Sequence, residues 1–565
     1  MYEGAPHRGR AARAGGWLVA AVGALGVTSA FAGGEPAAAP ATPAVAPASA
    51  AADGDAAAPK PTFDVLEYRV LDNTVLPNRT IESAVYPFLG PGRTIDDVQA
   101  ARAALEAAYR ESGHGTVFVD IPEQDVAAGI VRLQVTEGTL ARVRVEGARY
   151  FSGREIRAKV PEAAPGKAPD LPALQAQVNA LNTETRDRSV VPVLRAGSTP
   201  GTVDLTLKVK DELPFHGSLE LNDQHTADTA RLRLQAALSY DNLFDRLDSI
   251  GMQYQTAPEN RRQIDVWVGN YALNLGRNRK LALYYIDSNS DVATLGTLSV
   301  LGKGKVYGAR LILPLENTQA AAHTLTLGLD YKDFLESIAL DPTSSLRTPI
   351  SYVNLSVATA DAWRWERFQL SDALTLNFGP RHFGNSDQEF ADKRFRGRAN
   401  YFYLRGSLGL RTRLPWNFAL VTSLAGQYAR EPVISNEQFS IGGAASVRGF
   451  LEAEELGDTG AQATLQLELP TWRLFSDRLQ ATAFLFGDAA HVETIDPLSS
   501  EVPGASLASW GAGFNIAAWE HFTASLAWAD PVGKDLRRPL DGTSKPSTGT
   551  RVGESRLLFL VRGAW

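Results

Sequence analysis

Two textures of apolar and polar positions divide the chain, and the change falls near Pro214. Ahead of it, short strand-like runs alternate with longer runs whose apolar positions recur every three or four residues. "FDVLEYRV" from Phe63 predicts a strand. "IESAVYPFL" and "IDDVQAARAALEAAYRESG" predict helices, the second ended by Gly113. "TVFVDIP" and "AGIVRLQVTEG" predict two more strands. The same order then returns in "LARVRVEG", "SGREIRAKV", "LPALQAQVNALN", "SVVPVLRAG" and "GTVDLTLKVKD". An internal repeat of small β-α-α-β-β modules is therefore expected, over residues 62–138 and 139–211. The second copy is the weaker one, because Pro172 and the stretch "VPEAAPGKAPDLP" interrupt its helices.

Beyond Pro214 helical patterns nearly vanish and period-two alternation takes over. Ala461, Ala463, Leu465, Leu467 and Leu469 share one face of their segment, and Gln462, Thr464, Gln466 and Glu468 the other. In "YFYLRGSLGLRTR", Phe402, Leu404, Leu408 and Leu410 oppose Tyr401, Tyr403, Arg405, Ser407 and Arg411. The C-terminal run places Leu557, Phe559, Val561 and Trp565 against Glu554, Arg556 and Arg562. Residues 212–565 hold about sixteen such segments, an even number of the kind single-chain bacterial barrels require.

Alternation alone does not separate a soluble sandwich from a lipid-embedded barrel, since both put apolar residues on one face. Strand length, a strongly charged opposite face, an export signal, the lack of cysteine and a chain ending on a strand with Trp565 favour the barrel. Trp267, Tyr271, Tyr284, Tyr285, Trp365, Trp416, Trp519 and Trp528 lie near strand ends, as interfacial girdles require. The expected fold is α+β repeats followed by a 16-stranded antiparallel transmembrane β-barrel around a water-filled lumen.

The N-terminus supplies the export signal. Arg8, Arg10 and Arg13 precede an apolar run from Trp17 to Ser29, and "AFA" offers a small-x-small cleavage site, so residues 1–32 read as a signal peptide. Residues 33–61 are an Ala/Pro tract without aliphatic periodicity, expected to be an extended linker. After the signal no apolar stretch reaches the ~20 residues of a membrane-spanning helix. With no cysteine, a disulfide framework and a thiolate metal site are both excluded. A net charge of −7 argues against general nucleic-acid binding.

Enzyme signatures are lacking. The 8 histidines are scattered and form no HExxH pair, and no G-x-S-x-G elbow occurs. "GKGKVYG" misses both the dinucleotide and the Walker spacing, and its glycines read as a turn. The expectation is a non-enzymatic protein without cofactor or metal; a barrel protease or lipase is the rival from another class.

One stretch stands apart: "FSIGGAASVRGF", Phe439 to Phe450, glycine-rich with a single guanidinium, and followed by "LEAEELGDTG". Together with the repeats ahead of a barrel, it resembles the TpsB transporters of two-partner secretion. These are the hemolysin-activator (FhaC/ShlB-like) members of a superfamily that includes the barrel-assembly insertase. The resemblance covers Phe63 to Trp565. Tyr109, Gly113, Pro122, Gln124, Gly129, Glu137, Gly138 and Gly147 match that family's POTRA domain, and Asp241, Asn242 and Asp248 its early barrel. The resemblance implies that a loop of about 431–460 folds into the lumen, bearing Gly442, Gly443, Val447, Arg448, Gly449 and Phe450. It implies a partner motif on the wall in "FGDAA", with Phe486 and Asp488. Parity puts Asp488 on the face of Gln480, Thr482 and Phe486, away from Leu485 and Ala489.

An Arg448–Asp488 pair follows as an expected loop–barrel lock, since the planar fork of arginine suits a carboxylate. Two departures matter. Ala490 stands where the family prefers glycine, and the Ala/Pro tract replaces the plug helix of some members. The implied function is passage of an unfolded, hemolysin- or adhesin-like exoprotein through a monomeric outer-membrane barrel, with the POTRA repeats in the periplasm. An insertase for other barrels is the closer rival, and a solute porin, which needs no periplasmic repeats, the remoter one.

Overall fold

The computed structural model of the chain describes residues 61–565 apart from 127, 228, 291, 296, 297, 302, 316, 319, 336, 342, 343, 348, 382, 384, 385, 476, 477 and 538–548. The signal expected over 1–32, and the linker expected over 33–61 save its last residue, lie outside them. The described chain divides into two compact units, one ending at Pro214 and one running from Phe215 to Trp565.

In the first unit the two passes give two three-stranded sheets of one topology. Glu67–Leu71 runs parallel to Ile130–Glu137, whose other edge pairs antiparallel with Val117–Asp120. A parallel pair needs a crossover, and the helices Asn78–Val85 and Ile95–Glu111 supply it. Val98, Ala101, Leu105 and Tyr109 are the buried stripe of the second helix. Val98, Leu105 and Tyr109 share a core with Val131, Leu133 and Val135 of the central strand. Each such side chain contributes about 1.5–3 kcal/mol by leaving water. A short pairing of Phe63–Val65 with Gly90–Arg93 has no counterpart in the expected order.

The second sheet repeats the plan: Thr139–Glu146 lies parallel to Thr202–Asp211, and Arg188–Ala196 antiparallel to it. Here the reading of Pro172 is corrected. It stands in the first turn of the helix Leu171–Thr183 and starts the helix rather than breaking it. A first-turn N–H has no intrahelical partner to lose, so proline is tolerated there. Asp170 caps that turn, accepting from Ala173 N at 3.1 Å.

The second unit is a closed antiparallel barrel. Of its seventeen hydrogen-bonded segments, Thr459–Glu468 and Trp472–Leu474 pair with the same strand, Leu479–Glu493, and are two pieces of one strand broken at Pro470. Sixteen strands result. The last, Arg556–Ala564, pairs with the first, Phe215–Asn222, from Leu560↔Asn222 to Ala564↔Ser218, so no edge is left open. At the end where the chain enters the barrel the turns are short. Arg277 and Asn278, with φ of 51° and 60°, make one hairpin in which both central residues are left-handed. Asp248 ties another, accepting from Tyr271 Oη and Asn274 N, both at 2.8 Å.

Polarity decides between sandwich and membrane barrel. Along Ala321–Phe334, Leu327, Leu329 and Tyr331 are exposed on the outside, while Thr326 and Asp330 are buried within. Along Phe368–Phe378, Leu374, Leu376 and Phe378 are exposed and Thr375 and Asn377 buried. Inside, Arg310 grips Asp330 with two bonds of 2.6 and 2.7 Å. A cylinder with an apolar exterior and an ion-paired interior is built for lipid.

Two expectations change. Tyr284 belongs to no girdle: it points inward, is buried, and donates to Asp330. Trp267, Trp365, Trp416, Trp519 and Trp528 are exposed, and Tyr285 lies 5.0 Å from Tyr307, ring centre to ring centre. The interior is also not water-filled throughout. Toward the long-loop end, Phe390 of a helix Asp387–Lys393 joins Tyr352, Tyr401, Val433, Ile434 and Ile286 in a dry apolar cluster. Side chains from the strand ends and two connections meet there, which strand alternation cannot foretell.

Candidate functional site

Ala419–Ala429 and Thr459–Glu468 are neighbours in the wall, yet residues 430–458 separate them. That connection folds back into the barrel as a hairpin, with Phe439–Ile441 paired to Glu455–Gly457. Two buried carboxylates hold its base. Glu437 accepts from Tyr403 Oη at 2.6 Å and from Lys332 Nζ and Tyr352 Oη, and its carbonyl accepts from Gln427 Nε2 at 2.9 Å. Burial works to raise the Glu437 pKa, but the Lys332 charge and the two hydroxyls outweigh it and hold the group below its ordinary value. Asp458 accepts from Val433 N and Gln438 Nε2 at 3.1 Å, from Ile495 N at 2.7 Å and from Arg394 Nη2 at 3.4 Å.

From this base the tip, residues 442–454, reaches the wall strand Leu479–Glu493. Arg448 Nε lies 2.8 Å from Asp488 Oδ2, and Nη2 lies 2.8 Å from Oδ1. The Arg448 backbone N donates to the same Oδ2 at 3.0 Å, and Nη1 donates to Gln466 Oε1 at 2.9 Å. The guanidinium stacks on Phe486, 3.5 Å from ring centre to Cζ. Asp488 has no exposed side-chain surface and Arg448 is 12% exposed, so water screens the pair little. This is a fork-to-fork contact reinforced by a cation–π face.

The backbone is shaped for that approach. Gly449 has φ of +93°, and a Cβ there would lie 3.2 Å from Ala529 Cβ and 3.3 Å from the Pro531 ring. Glycine meets both demands at once. Val447 and Phe450, either side of Arg448 and Gly449, are buried with Phe439, Ile441, Ala490, Val492 and Leu507. Ala490, the departure noted in the wall motif, fills part of this apolar seat with its methyl.

Gly442, Gly443, Val447, Arg448, Gly449 and Phe450 thus lie on the tip, and Phe486 and Asp488 on the wall. Sequence reasoning missed Gln466, whose only signal was its place on the polar face of its strand. It also missed Glu437 and Asp458, because a connection without periodicity gives no face on which to place a side chain.

A family model described as "Haemolysin secretion/activation protein ShlB/FhaC/HecB" matches residues 201–516, and one described as "POTRA domain, ShlB-type" matches residues 63–138. The outer membrane transporter CdiB of Escherichia coli O6:K15:H31 is 26% identical over 472 residues, 78% of this chain and 75% of the relative. Among solved structures, CdiB from Escherichia coli is similar with a TM-score of 0.56 at 20% identity, covering 91% of this chain and 93% of its own. BamA from Haemophilus ducreyi lacking POTRA domains 1–3 is similar with a TM-score of 0.53 at 14% identity, covering 89% and 100%. The chain belongs to the ShlB/FhaC/HecB family of haemolysin secretion/activation proteins: an outer-membrane two-partner secretion transporter with a β-barrel in the outer membrane and POTRA repeats in the periplasm.

Proposed function

We propose that this chain binds an unfolded exoprotein in the periplasm and conducts it through the barrel to the cell surface, past a loop held by Arg448 and Asp488. The observation that carries this reading is the loop itself, seated inside a polar-walled cylinder by a bidentate ion pair. In this reading residues 62–138 and 139–211 are two client-binding modules and 212–565 the translocating barrel, acting as a monomer in outer-membrane lipid. Client binding is supported by the edge strands of the two sheets, Glu67–Leu71 and Val117–Asp120 in one and Thr139–Glu146 and Arg188–Ala196 in the other. Such edges accept an extended peptide as an added strand. The client is a secreted, TpsA-like partner of hemolysin or adhesin type.

Export of the co-encoded exoprotein by Arg448→Ala, with barrel assembly followed in parallel, tests the lock. Loss of export from an assembled barrel is expected, and undiminished export contradicts the proposal. Deleting Phe63–Gly147 is expected to end client recognition while the barrel keeps its conductance in a planar bilayer.

The likeness to the BamA barrel supports a second reading, insertion of other barrel proteins. Depleting the chain while following the outer-membrane protein profile separates the two: only an insertase leaves other barrels unassembled.

A further inference from the structure

The loop meets the wall a second time, two strands beyond Asp488. Glu454 on the returning side of the tip has a side chain only 2% exposed. Its carboxylate accepts four hydrogen bonds: from Lys534 Nζ and Thr550 N at 2.7 Å, and from Thr550 Oγ1 and Leu451 N at 3.0 Å. Lys534 is 6% exposed and belongs to the wall strand Phe522–Leu536.

Simple alternation would point Lys534 at lipid, since Leu526 and Trp528 of the same strand face outward and are exposed. A bulge reverses it. Ala508 pairs with Gly533 but Ser509 with Pro531, which leaves Val532 unpaired and exposed. Lys534 thereby comes opposite Leu507, which is buried inside. Pro531, on the regular inward face with Ala527 and Ala529, meets Gly449 just before the bulge. The irregularity of the wall therefore supplies the counter-ion of Glu454, in keeping with the use of bulges to re-aim side chains.

We propose that Glu454, Lys534 and Thr550 form a second, separate anchor for the inward loop, coupling its seat to the stretch 549–555 that leads into the last strand. The inference rests on the reading of the loop as the element whose seating governs transport. Glu454 is a positioning residue: it holds the returning side of the tip so that Arg448 stays in reach of Asp488. Thr550 stands in the stretch 549–555 that leads into the last strand, and the Glu454 carboxylate ties the tip to that stretch. Releasing the loop then requires both anchors to open.

The chain has no cysteine, so a nitroxide on Ala445→Cys, an exposed tip position, reports loop release in the full-length protein in liposomes without further changes. Glu454→Gln and Lys534→Met are each expected to shift the seated-to-released ratio by about tenfold or more, because each breaks the close buried ion pair, leaving Lys534 only Glu455 at 4.0 Å in the first case and Glu454 only its neutral donors in the second. Thr550→Val, which removes one donor and no charge, is expected to shift it less. The paired Glu454→Gln/Lys534→Met variant is expected to be no more mobile than either single change, a coupling that a general loosening of the fold does not produce. Glu493→Gln breaks an exposed wall pair with Arg537 at 3.0 Å and is expected to change nothing.

If Arg448→Ala releases the nitroxide while Glu454→Gln and Thr550→Val leave it seated, the second anchor is refuted and the first stands. If the Glu454 variant releases it and Arg448→Ala does not, the second anchor stands and the lock reading falls. If neither variant moves it, both are refuted.

Discussion

At the scale of single residues, the site turns on a guanidinium that makes two parallel bonds to one carboxylate and lies flat on an aromatic ring. Each part of that geometry is specific to arginine. Arg448→Lys keeps the charge but loses the fork and the stacking plane, so it is expected to seat the loop worse than the parent and better than Arg448→Ala. Removing the arginine altogether leaves Asp488 buried without a counter-ion, at about 3–5 kcal/mol. Phe486→Leu keeps the ion pair and loses the cation–π contact, about 1–2 kcal/mol at so shielded a site. The nitroxide at Ala445→Cys ranks the three. An order with Phe486→Leu as damaging as Arg448→Ala contradicts this account. The pair was legible in the sequence because both partners sit in short motifs and because strand parity puts Asp488 on the face opposite Leu485 and Ala489. Glu454 was not legible: its partner Lys534 faces inward only through a one-residue slip in pairing, and alternation reads that position as outward.

At the scale of elements, the inward loop is a hairpin fastened at its base as well as its tip. Glu437 tests the base through pH. Its folded pKa lies below the ordinary 4.5, so the stability it lends is present above that value and is lost as pH falls through the lower folded value. Loop seating is expected to be flat from pH 8 to about 5 and to weaken only in stronger acid, with Glu437→Gln lessening the acid transition. A loss of seating centred near neutral pH contradicts the assignment. Other elements were read well or badly for reasons of the same kind. The long alternating strands carried a period over many residues and were legible. Pro172 was misread because proline at the start of a helix and proline inside one look alike until the cap, Asp170, is placed. The strand broken at Pro470 continues beyond it as Trp472–Leu474, since it is the pairing of both pieces with Leu479–Glu493 that makes them one.

At the scale of the whole molecule, the barrel is sorted by face, with exposed Leu and Trp outward and paired polar groups inward. That sorting was legible as period two, while its direction needed the closed structure. The dry cluster toward the long-loop end, around Phe390 and Tyr352, was illegible because it draws on connections rather than strands. It obstructs part of the interior, so Phe390→Ala is expected to raise the resting conductance of the full-length protein in a planar bilayer; an unchanged conductance means the cluster does not limit the path. In the proposed function Arg448 and Asp488 act as one unit in export. Export of the co-encoded exoprotein by Arg448→Ala, Asp488→Ala and the double variant, at equal amounts of assembled barrel, tests it most directly. The double variant is expected to export no less than the poorer single one. Losses that multiply, or single variants that export as well as the parent, contradict it.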